Sequence, residues 1–507
     1  MRQKITAPFN LFARFPQGIG TLFFVQIFST LSYSVLYSTL VLYMTHRLGF
    51  SKLEANTITG FFIAFNYGLH FLGGFFGGRL ISNRFLFSLG MILLIIACSI
   101  LSIPSQTMLY LGLAIFLTGS GLNVTCLNCM VTQLFKPDDT RRETAFFWIY
   151  SGMNVGFFTG FTISGLFEQT GNYHLLFMLS GLGNLMALFL VVFNWHLLKD
   201  KDTALSKMAK QPKRKRQILG ISLVLAMVPS LLLLLNYAEF ANRIILTLGG
   251  SMIAVLIALA IKQPYRYQTN KIMAFIILMM ASLVFWSLYQ IAPMGLTLFI
   301  KYNVDTHLFG YSLSPQWIQN VNTIVIVLGG PIISMIYTKL RAKGYSINIP
   351  LQFSCALLFI GAAFIILPSG IAHADNQGLT NINWILGCYF LQSLGELLLS
   401  PVGYAMIGQL APANLQGLMM GAWMMMTGVA ATASHHFSNM MIGTTVSNDA
   451  LLTNDGFSSV FSLLGWTAVA AAAALMMLTP FIKRLMNGKN DDKPLISDEI
   501  NTQMEPA

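Results

Sequence analysis

The sequence predicts an all-α integral membrane protein of about fourteen spans, arranged as two six-helix bundles with an extra helix pair between them. Three observations carry this. Runs of about 20 apolar residues, long enough to cross a bilayer, recur along the whole chain. Charged residues make up 9% of the 507 and hydrophobic residues 55%, against about 25% and 45–50% in soluble domains. So few charges cannot cover a soluble protein of this size. Lysine and arginine, finally, gather in alternate loops.

The elements follow in order. Met1–Gln17 is basic but lacks an apolar core and a small-residue cleavage site, so it reads as a cytoplasmic lead-in rather than a cleaved leader. Six spans are predicted at 19–45, 54–80, 84–103, 106–135, 143–167 and 174–197, each bounded by polar or Pro/Gly turns. The basic stretch Lys199–Arg216 (KDKDTALSKMAKQPKRKR) then forms a linker, which also suits anionic lipid. Two further spans, 216–237 and 243–262, make the extra pair. The last six are 272–300, 315–340, 349–368, 382–410, 417–443 and 457–483. The longest exceed the hydrocarbon thickness and should tilt or protrude. Leu485–Ala507 is polar and reads as a disordered tail. The expected units are therefore 1–198, 199–271, 272–484 and 485–507. Two six-helix halves around a central site are the architecture of the major facilitator superfamily.

Loop charges orient the chain. Arg79, Arg84, Lys136, Arg141, Arg142, the linker, Lys271, Lys339, Lys343, Lys483 and Arg484 fall on one side. The loops Ser102–Thr107, Glu168–His174, Pro368–Asn383 and Gly443–Gly456 carry almost none. Both termini are then cytoplasmic, as an even number of spans requires. A bacterial inner membrane fits this pattern. The net charge of +12 lies in loops and tails, with no basic face interleaved with aromatics, which argues against nucleic acid. Cys126 and Cys129 form a CxxC on an apolar helix with no second pair, so packing is the expectation there, as for Cys98, Cys355 and Cys388. No HExxH, GxSxG or P-loop suggests an enzyme.

Glu396 stands out. It lies inside Leu391–Tyr404 (LQSLGELLLSPVGY), the one acidic residue of 18 expected near mid-membrane. A carboxylate there costs about 2.5–3.5 kcal/mol on insertion scales, and such residues carry protons, ions or substrates. His70, in Asn66–Gly74 (NYGLHFLGG), is a second titratable group at depth; Tyr67 lies beside it in the chain. A hydrogen-bonded core role is the plain alternative for His70, as for His435 and His436.

Several stretches resemble the proton-dependent oligopeptide transporter family, the peptide branch of the major facilitators. LGELLLSPVGYAMIGQLAPANLQGLMMGAWMMM is similar to that family's GELxxSPxGLxxxxxLAPxxxxGxMMGxWF, the most diagnostic block. GSGLNVTCLNCMVTQLF, AFFWIYSGMNVGFFTG, FWSLYQ and QWIQNVNTIVIVLGGP resemble further family signatures, so the likeness covers essentially the whole chain. It implies import of a small peptide or peptide-like solute by proton symport and alternating access, with no cofactor beyond the proton gradient. A monomer in the bilayer is expected.

The departures bear on the site. Where the family carries ExxER, this chain has Gln26, Ile27, Phe28, Ser29 and Thr30. Val124 aligns with the family's fourth-helix lysine, Gln290 with its seventh-helix glutamate (or Tyr289 one residue earlier), and Gly78 with a loop aspartate. Glu396 remains. The resemblance implies a cavity formed by Glu396, Asn154 and Asn322, interhelical hydrogen bonding being the plain alternative for the asparagines. Gln26, Tyr33, Tyr37, Tyr67 and Gln290 are the further side chains expected to meet substrate, although Tyr33 and Tyr37, four apart on one helical face, suit packing equally well. Glu396 and His70 are the expected proton sites. Without a cationic partner, burial penalises the ionised form of Glu396 unless a cation on the cargo supplies one. The same residues also suit an amine-bearing solute such as a polyamine or siderophore, carried by facilitation or export, or a receptor that no longer transports.

Overall fold

The computed structural model describes residues 12, 14–136, 139, 141–201, 203–344, 348–412, 415–443 and 447–487. Most of the tail expected at 485–507 and most of the lead-in lie outside them, and Leu485 and Met486 are not tail but the end of the last helix. The chain folds into fourteen long helices and one short one. The first group is α1 (Ile19–Leu42), α2 (Lys52–Phe76), α3 (Asn83–Leu101), α4 (Gln106–Gln133), α5 (Arg141–Thr170) and α6 (Tyr173–Phe193). Next come α7 (Lys210–Asn236) and α8 (Ala238–Ile261). The second group is α9 (Arg266–Tyr289), the short α10 (Thr297–Asn303), α11 (Pro315–Ala342), α12 (Ile349–Ala372), α13 (Ile382–Leu410), α14 (Gln416–Ile442) and α15 (Ala450–Met486). Twelve stretches meet a strict length-and-hydropathy criterion for crossing a membrane. Helices α5 and α14 have the length, at 30 and 27 residues, but carry more polar side chains.

Local chemistry sets the helix starts. Ser51 and Glu54 form a reciprocal capping box that opens α2. The side chains of Asn172 and Asp449 cap α6 and α15 by accepting from backbone N–H groups. The expected span 272–300 is in fact α9, a π-helical turn at Ala292–Leu296 and then α10. Pro293 removes a backbone donor, and Met294 leaves helical geometry at φ −120°, ψ −105°. The break is satisfied internally: Thr297 donates to the Ala292 carbonyl at 2.7 Å, and the Gly295 N–H donates to Ser438 Oγ at 3.1 Å.

Packing divides the helices into two bundles. Within the first, α1 lies on α5 and α6, α3 on α4 and α6, and α2 on α4. Within the second, α12 lies on α13 and α15, α11 on α13, and α9 on α14 and α15. The bundles meet where α2 faces α14 and α5 faces α11. The α7–α8 pair lies against both, α7 on α4 and α8 on α14, α9 and α2. Small residues permit the tightest approaches. A Cβ on Gly119 would stand 2.7 Å from the Gly90 carbonyl oxygen, and one on Gly73 would stand 3.0 Å from that of Leu122. Two short pairings finish the charge-poor end: Val304–Asp305 runs parallel to Thr380–Asn381, and His307–Leu308 antiparallel to Tyr311–Ser312.

Candidate functional site

A cavity of about 300 Å³ lies between the bundles, midway along the helices. Five of its walls matter most. Helix α1 supplies Gln26, Thr30, Tyr33 and Tyr37, spaced so that they share one face. Helix α2 supplies Tyr67 and His70, α5 supplies Asn154, α11 supplies Asn322, and α13 supplies Glu396. Eight of the nine residues singled out from the sequence therefore converge on one space. The ninth, Gln290, is fully buried just behind the wall, where its Oε1 accepts from the Tyr37 hydroxyl at 3.1 Å. That bond ties the Tyr37 ring across the bundle interface.

Glu396 is held by neutral groups. Asn322 Nδ2 donates to Glu396 Oε2 at 2.9 Å and to Ser393 Oγ at 3.0 Å, and the Tyr289 hydroxyl lies beside the carboxylate. Among the described residues no lysine or arginine lines the cavity. Hydrogen bonds from an amide orient a carboxylate without neutralising it, so the charge stays available to a proton or a cation. On the opposite wall His70 Nδ1 meets the Gly121 carbonyl oxygen at 3.0 Å, and Thr125 donates to the His70 carbonyl. This fixes the ring and leaves its other nitrogen without a hydrogen bond among the described residues. Trp286, Tyr389 and Trp423 complete a strongly aromatic lining that sequence reasoning missed. Trp286 was within reach of it, since it lies three residues before Tyr289.

His435 stands apart from this space. It is buried between α14 and α2, where its ring fills the room that Gly60 leaves, so a Cβ at Gly60 would come within 2.7 Å.

The charge-poor end of the cavity is shut by bonds between the bundles. Glu168, near the end of α5, receives Lys301 Nζ from α10 at 3.1 Å. Its other partners are the Tyr173 hydroxyl at 2.6 Å, Gln316 Nε2 at 3.5 Å and His46 at 3.4 Å. His46 in turn meets the Tyr302 hydroxyl at 2.8 Å. Lys52 donates to the Ser447 carbonyl at 2.6 Å and lies over the Tyr302 ring. Trp317 Nε1 and Asn320 Nδ2 both reach Thr162 across the α5–α11 contact. Apart from the Tyr37–Gln290 bond beside the cavity, these contacts join the two bundles at this end. Sequence reading passed over Glu168 and Lys301 because partners 133 residues apart leave no local signal.

The model of the POT family matches residues 81–453, about three quarters of the chain. The chain belongs to the POT family. Similar relatives include the dipeptide and tripeptide permease A of Cronobacter turicensis, 28% identical over 490 residues that cover 95% of each chain. Another is the dipeptide and tripeptide permease A of Escherichia coli K12, 28% identical and covering 97% of this chain and 98% of the relative. Among solved structures, a variant peptide transporter POT in complex with alafosfalin superposes with a TM-score of 0.81 at 26% identity, covering 93% of this chain and 96% of that one. A POT family transporter in complex with 5-aminolevulinic acid gives 0.79 at 25% identity, covering 92% and 97%. The fold is thus that of the POT branch of the major facilitators, and the chain is an integral multi-pass membrane protein of a transporter family.

Proposed function

We propose that this POT family member is a secondary active transporter that imports small peptides or peptide-like solutes together with protons. The observation that carries the reading is Glu396, the one carboxylate among the described residues that line the cavity between two bundles, held there by Asn322. A charge so placed meets cargo and can be exposed to either side as the bundles rock. The permeases it resembles are named for dipeptides and tripeptides, which supports the cargo class.

The basic end is the cytoplasmic one by the positive-inside rule, with both termini there and a bacterial inner membrane around the protein. The clasped end then faces outside. Residues 1–198 and 272–484 are the two rocking units, and 199–271 link them. Glu396 receives the cargo's ammonium, and Asn322 and Asn154 orient its backbone. Tyr33, Tyr37, Tyr67 and Gln26 shape the opposite wall. A carboxylate occupied by ammonium cannot also carry a proton, so His70 holds the co-transported proton while cargo is bound; Glu396 takes a proton when the site is empty. The transporter acts as a monomer, with the proton gradient as its energy source and no cofactor.

The test is uptake of labelled dipeptides and tripeptides into proteoliposomes, with and without an inward proton gradient, for wild type and Glu396→Gln. Gradient-driven uptake in the wild type and its loss in a folded Glu396→Gln variant are expected. Equal uptake by both would remove Glu396 from the mechanism.

A further inference from the structure

Toward the charge-poor end, α2 and α14 close a seam between the bundles. Asn56 Nδ2 donates to Asn439 Oδ1 at 3.1 Å, and Asn439 Nδ2 to Thr57 Oγ1 at 3.3 Å. One turn further in, the ring of His435 lies against Gly60; beyond it, a Cβ on Gly428 would stand 2.9 Å from the Ala64 carbonyl oxygen. The start of α8 covers this seam. Asn242 Nδ2 donates to the Thr57 carbonyl at 3.4 Å, and Glu239 Oε2 stands 3.8 Å from His435 Nε2. Farther along, a side chain on Gly249 of α8 would collide with Val429 of α14.

His435 is fully buried, yet among the described residues neither of its ring nitrogens has a hydrogen-bond partner. A buried polar group left so is costly, and an apolar ring would fill the same room without that cost. Titratable groups around it are few. From α8 comes Glu239, whose charge Arg243 shares at 3.7 Å, and from α14 comes His436, its ring 3.9 Å away centre to centre. The charged residues of α2, Lys52 and Glu54, are held elsewhere by the Ser447 carbonyl and by Ser51. Helix α9 presents the Ser287 carbonyl, which accepts from Ser434. On α15 the Asp449 carboxylate caps its own helix, and Asp455 is exposed.

While the seam is shut, burial keeps the ring neutral, because an imidazolium there would lack a hydrogen bond. When the bundles part at this end, water reaches the ring, and imidazole in water takes up a proton near neutral pH. Glu239 is half exposed and packs with α14, so it stays beside the ring as an anion when α2 withdraws. A site that holds its proton only in the open state makes acid favour that state. We propose that His435 is a proton-binding site of the outer seam, with Glu239 of the extra helix pair as its counter-ion, so that acid outside favours the parting of α2 from α14. The proton comes from the outer solution and returns to it on closing, so the site biases the two states without carrying a proton across. This rests on the reading above, in which the bundles rock around the cavity.

The test is amide hydrogen exchange of the full-length protein in lipid nanodiscs, without cargo, followed over 52–64 and 430–442. Exchange at about pH 5.5 and about pH 7.5, corrected for intrinsic rates, should show the seam opening about tenfold more readily in acid, the factor by which an imidazole in water fills with protons over that interval. His435→Gln should lose this rise; His46, His70 and Glu168 are common to both proteins and cancel in the comparison. Glu239→Gln, on an exposed side chain that leaves the fold alone, should keep only part of it, and this variant decides should His435→Gln not fold. An equal rise in folded His435→Gln, no rise in wild type, or slower exchange in acid would each overturn the proposal. A full rise in Glu239→Gln would overturn its assignment as counter-ion. Loss of peptide uptake with the acid response intact would overturn the transport reading alone.

Discussion

The Lys301 ammonium and the Glu168 carboxylate meet at 3.1 Å and join the two bundles across the charge-poor end. Glu168 is almost fully enclosed there, while Lys301 keeps about a third of its side chain exposed. The pair thus lies between a surface and a buried ion pair in strength.

Breaking that pair should loosen the closed end. Lys301→Met leaves Glu168 with only His46, Tyr173 and Gln316, and is expected to cost the closed state about 1–3 kcal/mol. Membrane-impermeant maleimide applied from outside should label Gln319→Cys several-fold faster in that background than in its absence. The swap Glu168→Lys with Lys301→Glu should recover part of the slow labelling. Labelling unchanged by Lys301→Met would show that the clasp does not govern access.

Asn322 is the positioning residue for Glu396. Asn322→Leu removes both of its hydrogen bonds, leaving the carboxylate free to swing. Apparent affinity for cargo is expected to fall about tenfold, with a smaller change in maximal rate, because one hydrogen bond to a charged group is worth about 1.5–3 kcal/mol. Asn322→Asp should be worse still, since it sets a second carboxylate against the first. Concentration series in proteoliposomes separate these effects.

His70 is expected to govern coupling rather than binding. His70→Gln keeps a polar side chain at the Gly121 carbonyl but cannot be protonated near neutral pH. Counterflow, which needs no gradient, should persist in this variant. Accumulation driven by an inward proton gradient should fall about tenfold if the proton rides on this ring. Undiminished accumulation would exclude His70 as the carrier.

Asp200, in the segment between α6 and α7, gives a stability test with a defined sign. Its carboxylate accepts from the Asn83 backbone N–H at 3.0 Å and caps α3. Burial nevertheless pushes its pKa above the ordinary carboxylate range, an effect that the Asn83 hydrogen bonds and the nearby Arg84 and Lys213 only partly offset. A group whose pKa is raised on folding stabilises the fold below its unfolded pKa and loses that contribution as pH rises through the folded value. At neutral pH the charge is therefore a cost. Asp200→Asn keeps an acceptor and drops the charge, so it should melt about 2 °C higher than wild type at pH 7. The difference should close as the pH falls through the raised pKa of Asp200 and wild type itself takes up the proton. A lower melting temperature at pH 7 would mean that the attraction to Arg84 and Lys213 outweighs burial.

The helices were legible because apolar length is a strong, local signal. Expected spans 106–135 and 315–340 end within two residues of α4 and α11. The break after α9 was not drawn, although Pro293 and Gly295 mark it, because the apolar run continues through them. In the site, Glu396 announced itself by cost: a carboxylate amid leucines needs a reason. Gln290 was placed by alignment with a residue that faces cargo, but which way a side chain points at a helix end depends on packing, and here Tyr37 claims it. The charge-poor end illustrates the limit of counting loop charges. It holds Lys52 and Lys301 after all, and both serve as ties between bundles rather than as orientation signals. Pairing of that kind is a property of the folded object, and no window along the chain contains it.

The α7–α8 pair leans on α4 of one bundle and on α14 and α9 of the other, and shows most of its remaining surface to lipid. It cannot follow both bundles when they rock. One of its contacts must slide, and the acyl chains that coat its outer face rearrange with it. The footprint of the protein then differs between its two states in each leaflet. Work against lateral pressure enters the balance between those states, so the stiffness and thickness of the surrounding bilayer become determinants of the transport cycle alongside the ligand and the proton.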